Sequence, residues 1–210
     1  MARPSRQVDA QLLAAGRALL PECGIAGLSV RKVVAHAGVN LGMFHYHFGS
    51  KEAFVRAVLQ GVYEEMFAQL PRPDAAGGSA IDGLRDALRV LAGFARTHRQ
   101  LLLRLLADAM AGGTVTLEFL RANVPRHVGV LRRLVQQAQR AGEIERMPVP
   151  LALSFLAGAV AAPLLFGSAL QQFAPAAPAR LIGRHLLSRR AADQRIAMAL
   201  RGLGARGSLS

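Results

Sequence analysis

Apolar residues recur at the three- and four-residue spacing of an α-helix along most of the chain, with no strand-like alternation of any length. The most informative stretch is residues 28–52. Ser29 is a good N-cap there, and the apolar repeat that begins at Val30 ends at Gly38, where a left-handed C-terminal cap favours glycine. Asn40 then caps a second helix. Two capped helices separated by so short a turn predict a helix-turn-helix.

The second helix of this pair divides into an inward and an outward side. If Phe44 points inward, Phe48 lies about 40° away, so both rings can enter one core. The opposite side carries Gly42, Met43, His45 and Tyr46, with Leu41 and His47 at its borders. These residues are unusual on a helix face that only contacts solvent, but they suit a helix in a DNA major groove. Glycine would let the helix backbone come close to the DNA, and the side chains would meet base edges, thymine methyls or phosphates.

Three further residues are candidates for contacts with DNA phosphates. Lys51 occupies the first position of a helix capped by Ser50, where the helix dipole disfavours a cation. A cation at a position where the helix dipole disfavours it indicates a functional role, and neutralisation of a DNA phosphate is the obvious one. Ser29 and Arg31 are the other phosphate candidates, and the alternative for Arg31 is a contact with a base.

The motif AGVN-x-G-x-F-x-x-HFGSKE, from Ala37 to Glu52, resembles that of the TetR-type transcriptional regulators. Specific similarity covers residues 7–60, and beyond them only the general helical character matches. The family usually has tyrosine at the position of His45, where it contacts a phosphate. In this chain either His45 or Tyr46 takes that role.

The resemblance implies an all-α fold of about nine helices. Residues 1–48 would form a three-helix, helix-turn-helix DNA-binding domain, and residues 49–210 a helical domain for ligand sensing and dimerisation. The helices outside the motif are predicted over residues 8–22, 50–70, 81–97, 100–110, 116–141, 151–170 and 179–203. The last two resemble the pair that forms a four-helix bundle with its two-fold mates in TetR-like proteins.

Residues 151–170 carry no charge, and twenty such residues meet the length test for a membrane span. The stretch is rich in alanine and glycine, and Pro163 interrupts it. We therefore expect a helix buried in a core and a subunit interface, with no membrane partner. A basic, membrane-associated helical protein is the alternative from another class.

Charge and cysteine content agree with a nucleic-acid partner inside the cell. The net charge of +13 indicates a polyanion partner, although the predominance of arginine over lysine also fits a genome rich in G and C. Cys23 is the only cysteine, so neither an intrachain disulfide nor a cysteine zinc cluster is expected. The N-terminus lacks the apolar run of a signal peptide, which favours a cytoplasmic location.

No catalytic constellation is apparent, so we do not expect an enzyme. Gly77 and Gly78 lack the strand and the lysine of a phosphate-binding loop, and no cofactor is predicted. His45 and His47 are two residues apart on a helix and point in different directions, so no metal site is predicted.

The TetR resemblance implies a small-molecule ligand within the helical C-terminal domain. Candidate lining residues are Phe67, Phe94, Leu102, Arg104, Met110, Phe119 and Phe155, for each of which plain core packing is the competing interpretation. Arg104 either pairs with Asp108 or faces an anionic ligand. The expected function is thus that of a ligand-responsive repressor that binds a palindromic operator as a homodimer. A ligand-independent DNA-binding protein is a further alternative.

Overall fold

The computed structural model describes residues 4–72 and 78–204, and that part of the chain is helical without any strand. The predicted all-α fold class is therefore confirmed. The helices are α1 (Pro4–Gly27), α2 (Val30–Ala37), α3 (Leu41–Phe48), α4 (Lys51–Phe67), α5 (Ala80–Thr97), α6 (Arg99–Met110), α7 (Thr114–Arg140), α8 (Val149–Leu156), α9 (Ala162–Phe173), α10 (Ala176–Ile182) and α11 (Arg189–Gly202). Single π-helical stretches, Ala157–Ala161 and Gly183–Leu187, follow α8 and α10.

The chain divides into two compact units. The first comprises Met1–Glu65 with Gln100–Asn123, and the second comprises Met66–Arg99 with Val124–Ser210. The first unit therefore contains the whole predicted helix-turn-helix and, in addition, most of α4 and α6. The functional boundary expected after residue 48 stays a prediction.

Local capping explains where α2 and α3 begin and end. The Ser29 hydroxyl accepts a hydrogen bond from the backbone N–H of Lys32 at 3.3 Å, and Gly38 ends α2 with φ 67° and ψ 31°. The Asn40 side-chain oxygen accepts from the N–H of Met43 at 2.9 Å and so caps α3. These side-chain oxygens accept hydrogen bonds from backbone N–H groups that would otherwise lack partners in the first turn of each helix. Only a short turn is left between the two helices.

An aromatic cluster forms the centre of the first unit. Phe44 and Phe54 are fully buried with ring centroids 5.1 Å apart, and Phe48 lies edge-on to Phe54 at 5.0 Å. Gly16 on α1 makes room for them, because a Cβ added there would lie 2.7 Å from Phe54 Cζ and 2.6 Å from Val58 Cγ2. The cluster fixes α3 against α4 and lets α1 approach closely.

The first and the last predicted helices differ clearly in their bounds from those in the structure. The first begins at Pro4 rather than near residue 8 and extends to Gly27, with non-helical backbone at Gly24 (φ 67°, ψ −178°). The last was expected to be continuous over residues 179–203 but breaks at Ser188, whose extended backbone and hydroxyl cap α11 at Ala191 N–H. Serine favours such a cap because its side chain competes for backbone hydrogen bonds.

The proline and glycine content of residues 71–80 predicts a loop, which falls partly on described residues. Residues 71–72 and 78–79 are non-helical, and α5 begins at Ala80. Residues 73–77 lie outside the described part of the chain. A proline such as Pro125 predicts a kink or a break in the helix over residues 116–141, and α7 runs through it as one element.

The second unit is built on the packing of α11 against α5. Leu84 and Leu88 of α5 and Ile196 and Leu200 of α11 are buried, which supplies the apolar contact between helices. Burial lowers the pKa of Arg195 on the same helix. Its Nε and Nη2 atoms are buried without a hydrogen-bond partner among the described residues.

One stretch of the second unit, Val149–Gln171, is long and apolar enough to cross a membrane by length and composition alone, with a mean hydropathy of 2.1. Helices in the cores of soluble proteins pass the same test. Phe166 and Leu170 are 62% and 59% exposed, so a large part of this apolar surface is not covered within the single chain. A contiguous apolar face of this kind indicates an interaction surface.

We predict that Gly16→Ala lowers the free energy of unfolding by about 1–3 kcal/mol, because the added methyl group overpacks the contact with Phe54 and Val58. The matched control is Gly93→Ala in the interior of α5, where a Cβ meets nothing within 4 Å. That change should instead stabilise the protein by about 0.5–1 kcal/mol, since alanine is the better helix former. Urea unfolding of both variants measures the difference, and an unaltered stability of Gly16→Ala would contradict the packing.

Candidate nucleic-acid interface

The side chains of α3 divide as the sequence predicts. Phe44 is fully buried, whereas Tyr46 is 77% exposed and Gly42 and His45 are exposed as well. Met43 is partly buried at the edge of this face. Leu41, at the first position of α3, is also exposed. The exposed side of α3 thus presents one tyrosine, one histidine and a glycine beside apolar residues.

The phosphate candidates belong to two helix N-termini of the first unit. The Ser29 hydroxyl is engaged in the cap of α2, and Arg31 is exposed in the first turn of that helix. Lys51 is the first residue of α4, behind Ser50, whose hydroxyl accepts from Ala53 N–H at 3.1 Å. Backbone N–H groups and cations at helix N-termini both attract anions, so these positions suit phosphate oxygens.

His45 and Tyr46 differ in how they are held. The Nδ1 atom of His45 lies 3.2 Å from the carbonyl oxygen of Gly49, which directs the ring towards the C-terminal end of α3. The Tyr46 ring lies edge-on to His47 with centroids 5.2 Å apart and otherwise extends from the helix. Both side chains are accessible, and the choice between them for the phosphate contact stays a prediction.

His47 has a supporting role that the sequence did not assign. Its side chain is almost buried, and Nδ1 lies 4.0 Å from a carboxylate oxygen of Asp9 on α1. Its Nε2 is buried with no hydrogen-bond partner among the described residues. The imidazole therefore occupies the space between α3 and α1 and positions the exposed face. Asp9 is 38 positions away from His47 in the sequence, so the local residue pattern could not predict this contact.

Polar contacts between α4 and the start of α7 also escaped sequence analysis. Arg56 Nη2 donates to Glu118 at 2.7 Å, and the Tyr63 hydroxyl donates to the backbone oxygen of Asn123 at 2.7 Å. The Asn123 side chain is buried and donates to Gln60 at 3.0 Å. These bonds hold the helix that follows the helix-turn-helix, and a buried network that is fully bonded favours one arrangement.

The residues predicted to line a ligand site fall in both units. Leu102, Arg104, Met110 and Phe119 belong to the first unit, and Phe67, Phe94 and Phe155 belong to the second. Arg104 donates to the backbone oxygen of Glu22 at 3.1 Å, and no bond joins it to Asp108, which accepts from Thr116. Met110 is 82% exposed. The ligand set therefore stays a prediction.

Aromatic members of that set have identifiable neighbours. Arg126 lies over the Phe67 ring at 4.2 Å, Phe94 contacts the ring of His98 at 4.6 Å, and Phe119 lies edge-on to Tyr63 at 6.1 Å. Such contacts are compatible with core packing and with a mainly apolar pocket wall.

A small pocket of about 190 Å³ lies between α5 and α11 in the second unit. Arg89, Arg96, Arg189 and Asp193 surround it, and none of the seven predicted ligand residues lines it. Within residues 4–72 and 78–204, no three histidine, cysteine, aspartate or glutamate side chains cluster as metal ligands.

Comparison with known proteins supports this interpretation of the first unit. Residues 12–58 match the family model described as "Bacterial regulatory proteins, tetR family". The matched range includes most of α1, all of α2 and α3 with their turn, and the first part of α4. No curated protein matches the chain.

Solved structures share the fold at low sequence identity. FadR of Bacillus subtilis, a transcriptional regulator solved in complex with stearoyl-CoA, has a TM-score of 0.73 at 14% identity, covering 92% of this chain and 98% of FadR. Salmonella enterica GusR has a TM-score of 0.69 at 20% identity, and the match covers 97% of this chain and 98% of GusR. PfmR of Thermus thermophilus, a TetR-family transcriptional regulator, has a TM-score of 0.66 at 20% identity, and the match covers 91% of this chain and 98% of PfmR.

Residues 12–58 therefore belong to the tetR family of bacterial regulatory proteins, and the chain as a whole shares the all-helical fold of these solved structures.

Proposed function

We propose that this protein is a ligand-responsive repressor that binds a palindromic operator as a homodimer. The observation that carries the proposal is the exposed face of α3, which the buried Phe44 ring fixes in orientation. Residues 1–48 would bind DNA in the cytoplasm, and residues 49–210 would dimerise and sense the ligand.

The geometry of α3 supports a distinct role for each exposed residue. Gly42 would let the helix backbone approach the major groove, and Met43 and Tyr46 would meet base edges. Leu41 is an exposed apolar residue at the helix N-terminus, the end that usually meets bases, and it suits a thymine methyl group. Ser29, Arg31, His45 and Lys51 would contact the sugar-phosphate backbone and fix the register.

The homodimer would form through the uncovered apolar surface of the second unit. Phe166, Leu170 and Phe173 on α9 are exposed, the last by 85%, and Leu181 on α10 and Met198 on α11 are exposed too. Burying such a surface against a second copy is strongly favourable, at roughly 25 cal/mol per Å² of apolar area. A two-fold dimer presents two copies of α3, so the operator would be palindromic.

The ligand would bind within the C-terminal domain and alter operator affinity. The fold is shared with FadR, whose structure contains stearoyl-CoA, so this architecture can hold a molecule with a long acyl chain. Phe67, Phe94, Leu102, Arg104, Met110, Phe119 and Phe155 are the proposed lining residues. Binding would shift α4 and change the separation of the two DNA-reading helices, which requires the ligand to prefer one separation over the other.

We predict that Lys51→Ala weakens binding to all DNA sequences and reduces the slope of log affinity against log salt by about one phosphate contact. The matched control is Arg132→Ala, which removes an exposed cation from α7 in the second unit. Fluorescence anisotropy at several salt concentrations measures both slopes. An unaltered slope for Lys51→Ala would remove this lysine from the interface.

Tyr46→Ala tests whether α3 reads sequence. The wild-type protein should enrich a two-fold symmetric duplex from a random-sequence pool, and failure to enrich any sequence would contradict the proposed function. On the enriched duplex, Tyr46→Ala should cost roughly 1–3 kcal/mol and alter the preferred base at one position of each half-site. Equal losses on every sequence would instead make Tyr46 a backbone contact.

Phe166→Asp tests the dimer, because it places a charge in the proposed apolar interface. Analytical ultracentrifugation should find a dimer for the wild-type protein and a monomer for the variant, since an unpaired buried charge is costly. Leu106→Asp on α6 is the control at an exposed apolar residue outside both proposed binding sites, and it should remain dimeric. A wild-type monomer would contradict the interface, and a requirement for detergent would favour the membrane-associated alternative.

A further inference from the structure

The hydrogen bond between His45 and Gly49 determines where the imidazole can carry its proton. Nδ1 lies 3.2 Å from the Gly49 carbonyl oxygen, and a carbonyl oxygen can only accept a hydrogen bond. Nδ1 must therefore be the N–H donor. In the neutral ring this assigns the single proton to Nδ1 and leaves a lone pair on Nε2.

The Nε2 atom is the part of His45 that is left for DNA. The side chain is exposed, and no described residue forms a hydrogen bond with Nε2. A phosphate oxygen is also an acceptor, so a neutral ring held in this way offers it only a lone pair. The imidazolium form, by contrast, carries an N–H at Nε2 and a positive charge, and both favour a phosphate contact.

Position along α3 favours a phosphate over a base as the partner. His45 lies in the last turn, and its ring is directed towards Gly49, two residues before Lys51. Tyr46 extends from the helix, whereas the His45 ring is turned towards the segment that carries Lys51, the other phosphate candidate. The direction of its ring therefore favours a backbone contact for His45.

The helices around His45 carry charged side chains of both signs. The titratable and charged groups with described side chains on these helices are Asp9, Arg17, Glu22 and Cys23 on α1, Arg31, Lys32 and His36 on α2, Tyr46 and His47 on α3, and Lys51, Glu52, Arg56, Tyr63, Glu64 and Glu65 on α4.

We propose that His45 contacts an operator phosphate as the imidazolium, so that each protomer takes up a proton from solvent when it binds the operator. The inference rests on the proposed function and adds a proton linkage to it. Because the complex holds more protons than the free protein and DNA, operator affinity increases as pH falls. Linkage limits the effect to about tenfold per pH unit for each His45, and to about a hundredfold for a dimer.

The test measures affinity for the duplex enriched by the wild-type protein, between pH 5.5 and 8 at constant ionic strength. Wild-type affinity should fall as pH rises. His45→Tyr and His45→Gln supply donors that do not titrate in this range, so their affinities should be nearly constant. His36→Gln, which removes another exposed histidine, should retain the wild-type dependence. Calorimetry in two buffers of different ionisation enthalpy should show proton uptake that both His45 variants lack.

Each contrary outcome has a distinct meaning. A wild-type affinity that is independent of pH, or that rises with pH as expected for a neutral acceptor reading a base donor, would overturn the proposal. A wild-type slope retained in both His45 variants would assign the linkage to another group, such as His47, and would also overturn it. Absence of sequence-specific binding at every pH would refute the proposed function, and this proposal with it.

Discussion

The contact between Phe44 and Phe54 is the constraint on which the proposed DNA-reading surface depends. With their centroids 5.1 Å apart and both side chains fully buried, the two rings allow only one face of α3 to point outward. Gly16 is part of the same constraint, because any side chain there would occupy the space of Phe54. The polar partners of the exposed face, including the hydrogen bond from His45 to Gly49, follow from the orientation that these rings impose.

Sequence pattern located the features that depend on close neighbours in the chain. The caps at Ser29, Gly38 and Asn40 are each completed within a few residues, so residue type and spacing sufficed to predict them. The helices that contain long apolar repeats were predicted equally well from the spacing of their apolar residues. The break at Ser188 was missed because the flanking apolar periodicity continues through it, and only the observed backbone shows that the serine ends one helix and caps the next.

Features built from distant residues were not accessible in this way. The Arg56–Glu118 pair joins residues 62 positions apart, and one sequence gives no indication that they meet. The same reason limits the predicted ligand residues, because a pocket is formed by side chains from several helices whose packing must be known first. Residues 151–170 are a second example of this limit. Their uncharged composition predicted burial, whereas Phe166 and Leu170 are exposed in the single chain.

The most direct test of the central claim is a gel-shift titration of purified protein on the DNA that flanks its own gene. Random-sequence DNA serves as competitor at physiological salt, since a net charge of +13 alone would give non-specific binding. The account predicts a discrete complex that survives excess competitor, because the exposed face of α3 recognises base sequence. A smear that disappears with competitor, on these and on all selected duplexes, would contradict it.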